Sequence, residues 1–192
     1  MPKLGMEPIR RAALVKATIE EIGAVRSLDV TVNAIARRAG VSSGLAHHYF
    51  GGKEDLLVAA MRHILTQYGA EVRAELARAD TPRARLEGIL AASFAKGNFQ
   101  PDVIAAWLNF YVHAQSSPGA KRLLRIYHAR LRSNLLHELK PIVGARAGEV
   151  AEMLAAQIDG YYIRLALSET EAAPLAVTRM RAALDHIIRT YA

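Results

Sequence analysis

Residues 31–57, TVNAIARRAGVSSGLAHHYFGGKEDLL, constrain this chain more than any other stretch. They read as two short helices around a tight turn, followed by the start of a third helix. Ile35 and Ala36, with Ala39 just beyond, give the first helix apolar packing. Gly40 falls where the chain must turn sharply, and glycine reaches positive φ without steric cost. Val41 can plug the angle between the helices. Thr31 can cap the first helix and Ser42 or Ser43 the second, because a side-chain oxygen accepts from an otherwise orphaned backbone N–H. This is the pattern of a helix-turn-helix, whose second helix enters the major groove of DNA. Its place near the N-terminus, with a much longer helical remainder, predicts a DNA reader joined to a sensor.

The remainder is rich in Ala and Leu, and 52% of the 192 residues are hydrophobic, which suits a helical protein with a sizeable core. There is no cysteine. Disulfides and thiolate metal sites are therefore excluded, and a reducing cytoplasm is compatible with the chain. The opening residues lack the apolar run of a signal peptide, and no window approaches the roughly 18 continuous apolar residues of a membrane span. A cytoplasmic protein with no membrane partner is expected. The net charge of +7 favours an anionic partner such as double-stranded DNA.

Helix signals recur along the whole chain. Pro8 opens a first helix, and Ile9, Ala12, Ala13, Val15, Ile19 and Ile22 follow it at helical spacing. Gly51 and Gly52 break the chain after the recognition helix. Residues 53–79 then read as one long helix with Leu56, Leu57, Ala60, Ile64, Leu65 and Tyr68 on its apolar stripe. Thr81-Pro82 and Ser117-Pro118 each place a cap before a proline at the first helical position. The first of these helices should end near residues 97–98, a second should span 101–115, and the one opened at Pro118 should stop before Pro141. After a turn at 144–148, residues 149–167 and 174–191 read as helices. The expected fold is all-α, with about nine helices and no strand. A three-helix DNA-binding head over 1–52 would be followed by a helical ligand-binding and dimerisation body over 53–192.

The last two helices carry more than one apolar stripe. Ala147, Ala151 and Ala155 form a small-residue line, and Val150, Leu154, Ile158 and Leu165 form its neighbour. Met180, Leu184, Ile187, Ile188 and Tyr191 form a third. Such helices can bury one face internally and another against a second copy, as a four-helix bundle across a two-fold axis. In the alternative, both faces are internal.

The recognition helix would present Ser42, Ser43, Gly44, Leu45, His47 and His48 to the groove. Small residues at its start let the backbone approach. The histidines can donate to base acceptors or phosphates, and Leu45 can touch a thymine methyl. Thr31 can offer a hydroxyl and an N–H to a phosphate at a helix N-terminus. Phe50 reads as core, and Arg37 and Arg38 as either a solvated face or a phosphate clamp. His47-His48 suggests no metal, since adjacent positions diverge around a helix. On the sensor side, Trp107 and Tyr111 lie one turn apart, and Tyr161 and Tyr162 follow Asp159. Aromatic faces with a carboxylate suit a quaternary ammonium. A buried Asp159 needs a partner, and Arg164 or another arginine is the plainer one. No catalytic constellation and no cofactor-binding motif is present, so an enzyme is not expected.

Residues 31–57, with the Thr-initiated helix, ARRAGVS and HYFGGKEDLL, resemble the TetR family of bacterial transcription regulators. Within it the chain is most similar to the BetI branch, the choline-responsive repressors of glycine betaine synthesis genes. The segments PKLGMEPIRR, HYFGGK, AAWLNFYVHA and IDGYYIRLALSE carry that likeness. The resemblance implies a homodimeric repressor that binds an operator and is released by choline or a related quaternary ammonium. It implies phosphate contacts for Tyr49 and Lys53, and ligand contacts for Trp107, Tyr111, Asp159 and Tyr162. The competing readings are a TetR-type repressor sensing an apolar metabolite or a drug-like cation, and a constitutive architectural DNA-binding protein.

Overall fold

The computed structural model describes residues 5–168 and 173–191. Residues 2–4 and 169, which belong to two of the resembling segments, lie outside that set. Among the described residues there are nine α-helices: α1 (Met6–Val25), α2 (Val32–Arg38), α3 (Ser43–Phe50), α4 (Lys53–Arg78), α5 (Pro82–Ser93), α6 (Pro101–His113), α7 (Pro118–Val143), α8 (Ala147–Ala166) and α9 (Ala173–Tyr191). Two short 3₁₀ turns, Lys96–Phe99 and Gly144–Arg146, complete the order. The chain forms two compact units, Met1–Leu65 with Gln100–Leu124 and Thr66–Phe99 with Arg125–Ala192. They do not follow the division at residue 52 drawn on function. The reason is that α6 packs along α1 and so joins the first unit.

In the first unit, α1 packs on α2 as well as α6, and α2 packs on α3. The buried face of α1 takes up only the later part of the expected apolar series, since Ile19 and Ile22 are buried while the series fails at its start. Ile9 is 61% exposed, and Ala12 is exposed too. The core face runs through Leu14, Thr18 and Ile22. Thr18 can sit in this stripe because its Oγ1 donates to the Leu14 carbonyl at 2.8 Å. Counting apolar residues alone skips it. Pro8 is the third residue of α1 rather than the first, still within the turn whose N–H groups have no intrahelical acceptor.

Two features bind α6 closely to α1. A Cβ at Gly23 would lie 2.5 Å from the Asp102 Cβ and 2.7 Å from its Cα, so only glycine lets the helices approach this far. Further along, Arg26 caps α1 in the left-handed region, with φ of 53°. Its carbonyl accepts from Asn109 Nδ2 at 3.3 Å.

In the second unit α5, α8 and α9 pack on one another. Leu86, Ile89 and Leu90 of α5, Val150, Leu154 and Ile158 of α8, and Met180 and Leu184 of α9 are all buried. Thr81 caps α5 by accepting from Ala84 N, and Ser117 caps α7 by accepting from Ala120 N. The expectation that α7 stops before Pro141 is not met, because the helix continues to Val143. Only its last turn lies beyond the proline, so little of the hydrogen-bond ladder is lost. Tyr127, Leu131, Leu135, Leu139 and Val143 form one buried stripe at intervals of four, and carrying it to Val143 favours the longer helix.

The small-residue line is mostly internal, since Ala147 and Ala151 are buried within the chain. The exposed line of α8 is instead Met153, Ala156 and Gly160, with Leu167 just past the helix end. No described helix is long and apolar enough to cross a membrane.

Candidate functional site

The helix-turn-helix is built from caps that the chain supplies locally. Thr31 Oγ1 accepts from Ala34 N at 3.1 Å and starts α2. Gly40 takes φ of 67° in the turn, and Val41 N donates back to the Ala36 carbonyl at 3.0 Å. Ser42 Oγ, rather than Ser43, then accepts from Leu45 N at 3.2 Å and starts α3.

Ala46 is the buried residue of α3. The remaining positions keep off the core: Ser42, Gly44, His47 and His48 are exposed, while Ser43, Leu45 and Tyr49 are half-buried. A Cβ on Gly44 would meet nothing within 4 Å, so the start of the helix presents bare backbone. His47 Nδ1 lies 2.9 Å from the Gly51 carbonyl. A carbonyl can only accept, so Nδ1 carries the proton in this contact. Gly51 itself takes φ of 77°, which ends α3 and lets α4 begin at Lys53, half-buried.

Arg38 belongs to the face of α2 that meets α1, with Nε 2.7 Å from Glu21 and Nη1 3.9 Å from Glu20. Phe50 is half-buried rather than fully buried. Among the described residues no three His, Asp or Glu side chains gather as a metal site would need.

Beside Lys53, Glu54 gathers a cluster that sequence reasoning missed. Its carboxylate lies 2.9 Å from His113 Nε2 at the end of α6. It also accepts from Ser117 Oγ, the cap of α7. The first turn of α4 is thus tied to two other helices of the same unit.

The expected ligand residues fall in both units. In the first, Trp107 is buried and stacks on Tyr111, with centroids 5.7 Å apart and planes at 30°. Phe110 meets the same indole edge-on at 6.0 Å. A nearby cavity lined by Ile22, Met61, Phe110 and His113 has a volume of only about 10 Å³, room for about one water.

In the second unit, Asp159 accepts from Tyr127 Oη at 2.7 Å and lies 3.5 Å from His128 Nε2. Arg164, the arginine named as the plainer partner, is exposed. Tyr127 meets Tyr68 edge-on at 5.8 Å, and Tyr68 shares a 3.1 Å hydrogen bond with Ser93. Burial pushes the Tyr68 phenol up to about 12, against the lesser effect of the Ser93 bond. Tyr162 is 8% exposed, donates to the Asn98 carbonyl at 2.9 Å and packs on Phe99 at 5.1 Å. Burial raises its pKa also.

The Asn98 side chain in turn donates to Glu71 at 3.4 Å. Burial raises the Glu71 carboxyl above its ordinary value, against that bond. Tyr68 and Glu71 lie one turn apart on α4, as Asp159 and Tyr162 do on α8. The second unit therefore holds aromatic rings and carboxylates in one connected group. Tyr68, Glu71 and Tyr127 were overlooked because each reads as ordinary surface or core until its partners are known.

A capped helix-turn-helix with an exposed recognition face, on an otherwise helical chain, defines a DNA-binding transcription regulator. Residues 14–60 match the family described as bacterial regulatory proteins, tetR family. Residues 82–191 match that described as BetI-type transcriptional repressor, C-terminal. The chain is 50% identical to the HTH-type transcriptional regulator BetI of Brucella anthropi, over 97% of this chain and 96% of that one. It is 48% identical to BetI of Rhizobium meliloti, over 92% and 86%.

Among solved structures, a transcriptional regulator from Pseudomonas aeruginosa PAO1 superposes with a TM-score of 0.85 at 24% identity, covering 99% of this chain and 97% of that one. A regulator from Saccharomonospora viridis in complex with choline superposes with a TM-score of 0.80 at 20% identity, covering 92% and 95%. The chain belongs to the TetR family, as a transcriptional repressor with a BetI-type C-terminal domain. Its relatives are regulators, not enzymes.

Proposed function

We propose that this repressor acts as a cytoplasmic homodimer on choline-uptake and glycine betaine synthesis genes, and that choline or a related quaternary ammonium releases it from its operator. The observation that carries the reading is Asp159 held by the Tyr127 phenol within the aromatic group of Tyr68, Phe99 and Tyr162. A permanent cation cannot lose its charge when buried, so its site must supply compensation. A carboxylate does this, and each aromatic face adds roughly 0.5–2 kcal/mol. The choline carried by the Saccharomonospora viridis regulator and the BetI relatives support the same ligand class.

Residues 1–52 serve DNA recognition and 53–192 ligand binding and dimerisation. Thr31, Tyr49 and Lys53 contact phosphates, while Ser42, Ser43, Gly44, Leu45, His47 and His48 face the groove. Trp107, Tyr111, Asp159 and Tyr162 are the candidate ligand residues.

Calorimetry with choline, betaine aldehyde and glycine betaine, with and without operator, tests the proposal. Choline should bind and lower operator affinity, and operator should weaken choline binding by the same factor. Asp159→Asn, nearly isosteric, should weaken choline while leaving the fold intact. Heat from none of the three, in folded and operator-competent protein, would remove the choline assignment. It would favour a repressor that senses an apolar metabolite or another cation.

A further inference from the structure

We infer that Arg11 is a positioning residue for DNA recognition: from α1 it grips the last turn of the recognition helix and sets where Tyr49 meets the phosphate backbone. The inference rests on the proposed phosphate contact of Tyr49. A helix leaves its last carbonyls without intrahelical donors. At the end of α3 the His47 carbonyl accepts from Gly51 N at 2.7 Å, and the Phe50 carbonyl from Gly52 N at 2.9 Å. The Tyr49 carbonyl accepts from Arg11 Nη1 at 2.5 Å. The same guanidinium lies 5.0 Å from the Tyr49 ring centroid and 5.3 Å from that of Phe50. Its Nε is held by Glu7 at 2.7 Å, one turn back along α1.

One planar group thus meets a backbone carbonyl and two consecutive aromatic rings while a carboxylate orients it. Only a guanidinium combines these contacts, because an ammonium has neither the fork nor the flat faces. Its positive charge also suits a helix C-terminus. Phe50 and the Tyr49 carbonyl anchor the helix to α1, so the Tyr49 ring leaves α3 from a fixed point. Elsewhere on α3, Ala46 is the sole fully buried side chain, and its methyl group alone gives little control over rotation of so short a helix.

The test is a double-mutant cycle on the full-length protein, with a duplex selected from a random pool by the wild-type protein. Binding is measured across a salt series, and thermal unfolding alongside. Arg11→Lys should weaken binding about tenfold with an unchanged salt slope. Tyr49→Phe should cost less in that background than in the wild type, because coupled residues are not additive.

Wild-type affinity in Arg11→Lys would overturn the inference. So would a salt slope lower by about one in Arg11→Gln with the full Tyr49→Phe effect, since Arg11 would then contact phosphate itself. If Tyr49→Phe costs nothing in the wild type, the phosphate reading of Tyr49 fails and the inference with it. Should Arg11→Lys unfold below the assay temperature, Glu7→Gln, which frees only Nε, replaces it in the cycle. It should give a smaller loss with the same coupling, and additivity there would overturn the inference.

Discussion

Tyr68 shows how much one side chain's chemistry depends on surroundings that its own helix does not supply. The phenol, held near 12 by burial, keeps its proton where an unfolded tyrosine, near 10, has lost it. The unfolded state therefore binds fewer protons between those values, and stability should fall as pH rises from about 10 to about 12. Below pH 10 this contribution is complete. Ultraviolet difference titration should find a tyrosine step near pH 12, and Tyr68→Phe should remove it. On the DNA face, Lys53→Ala should weaken binding to all sequences and lower the salt slope by about one. His47→Ala should relax base preference at one position of each half-site and leave the slope intact. Binding measured on a panel of mutated duplexes separates the two outcomes. A changed preference in Lys53→Ala with an intact slope would reverse the assigned roles.

At the scale of elements, caps and breaks are local, and most were legible. Thr31, Thr81 and Ser117 cap the helices that follow them, each within three residues of the N–H it satisfies. What spacing could not reveal was which face of a helix meets another. The α1 stripe needed Thr18, whose hydroxyl is acceptable only because it bonds the Leu14 carbonyl. Gly23 lies inside α1 and permits the approach of Asp102, which no sequence pattern announces. Gly23→Ala should therefore destabilise by about 1–3 kcal/mol, the usual cost of overpacking, despite alanine's better helix propensity. Urea unfolding followed by circular dichroism measures this, and a stabilised variant would mean that α6 yields without cost. Ser117→Ala loses both the α7 cap and a partner of Glu54, and should cost about 0.5–2 kcal/mol in the same assay.

For the whole molecule the telling surface is the exposed line of α8. Ala147 and Ala151 are consumed inside the chain, which leaves Met153, Ala156 and Gly160 outside it. A Cβ on Gly160 would meet nothing within 4 Å, so a larger side chain fits the isolated chain without strain. If α8 pairs with its copy along this line, Gly160→Arg should fold normally and sediment as a monomer. It should also lose tight binding to a two-half-site operator, because two-fold recognition needs both heads. A folded variant that remains a dimer would place the interface elsewhere.

Taken alone, the sequence determined the all-helical class, the helix-turn-helix and the family. It could do so because caps, helix-opening prolines, the left-handed Gly40 and apolar periodicity all act within about one turn of chain. It also marked Trp107, Tyr111, Asp159 and Tyr162 as residues to watch. Only the tertiary structure decided their company. Tyr127 reaches Asp159 from a helix 32 residues away, Glu54 takes Ser117 from 63 away, and Arg11 takes the Tyr49 carbonyl from 38 away. Such pairs depend on which faces of which helices meet and how closely, and that is set by packing across the whole unit, where no local pattern carries the information.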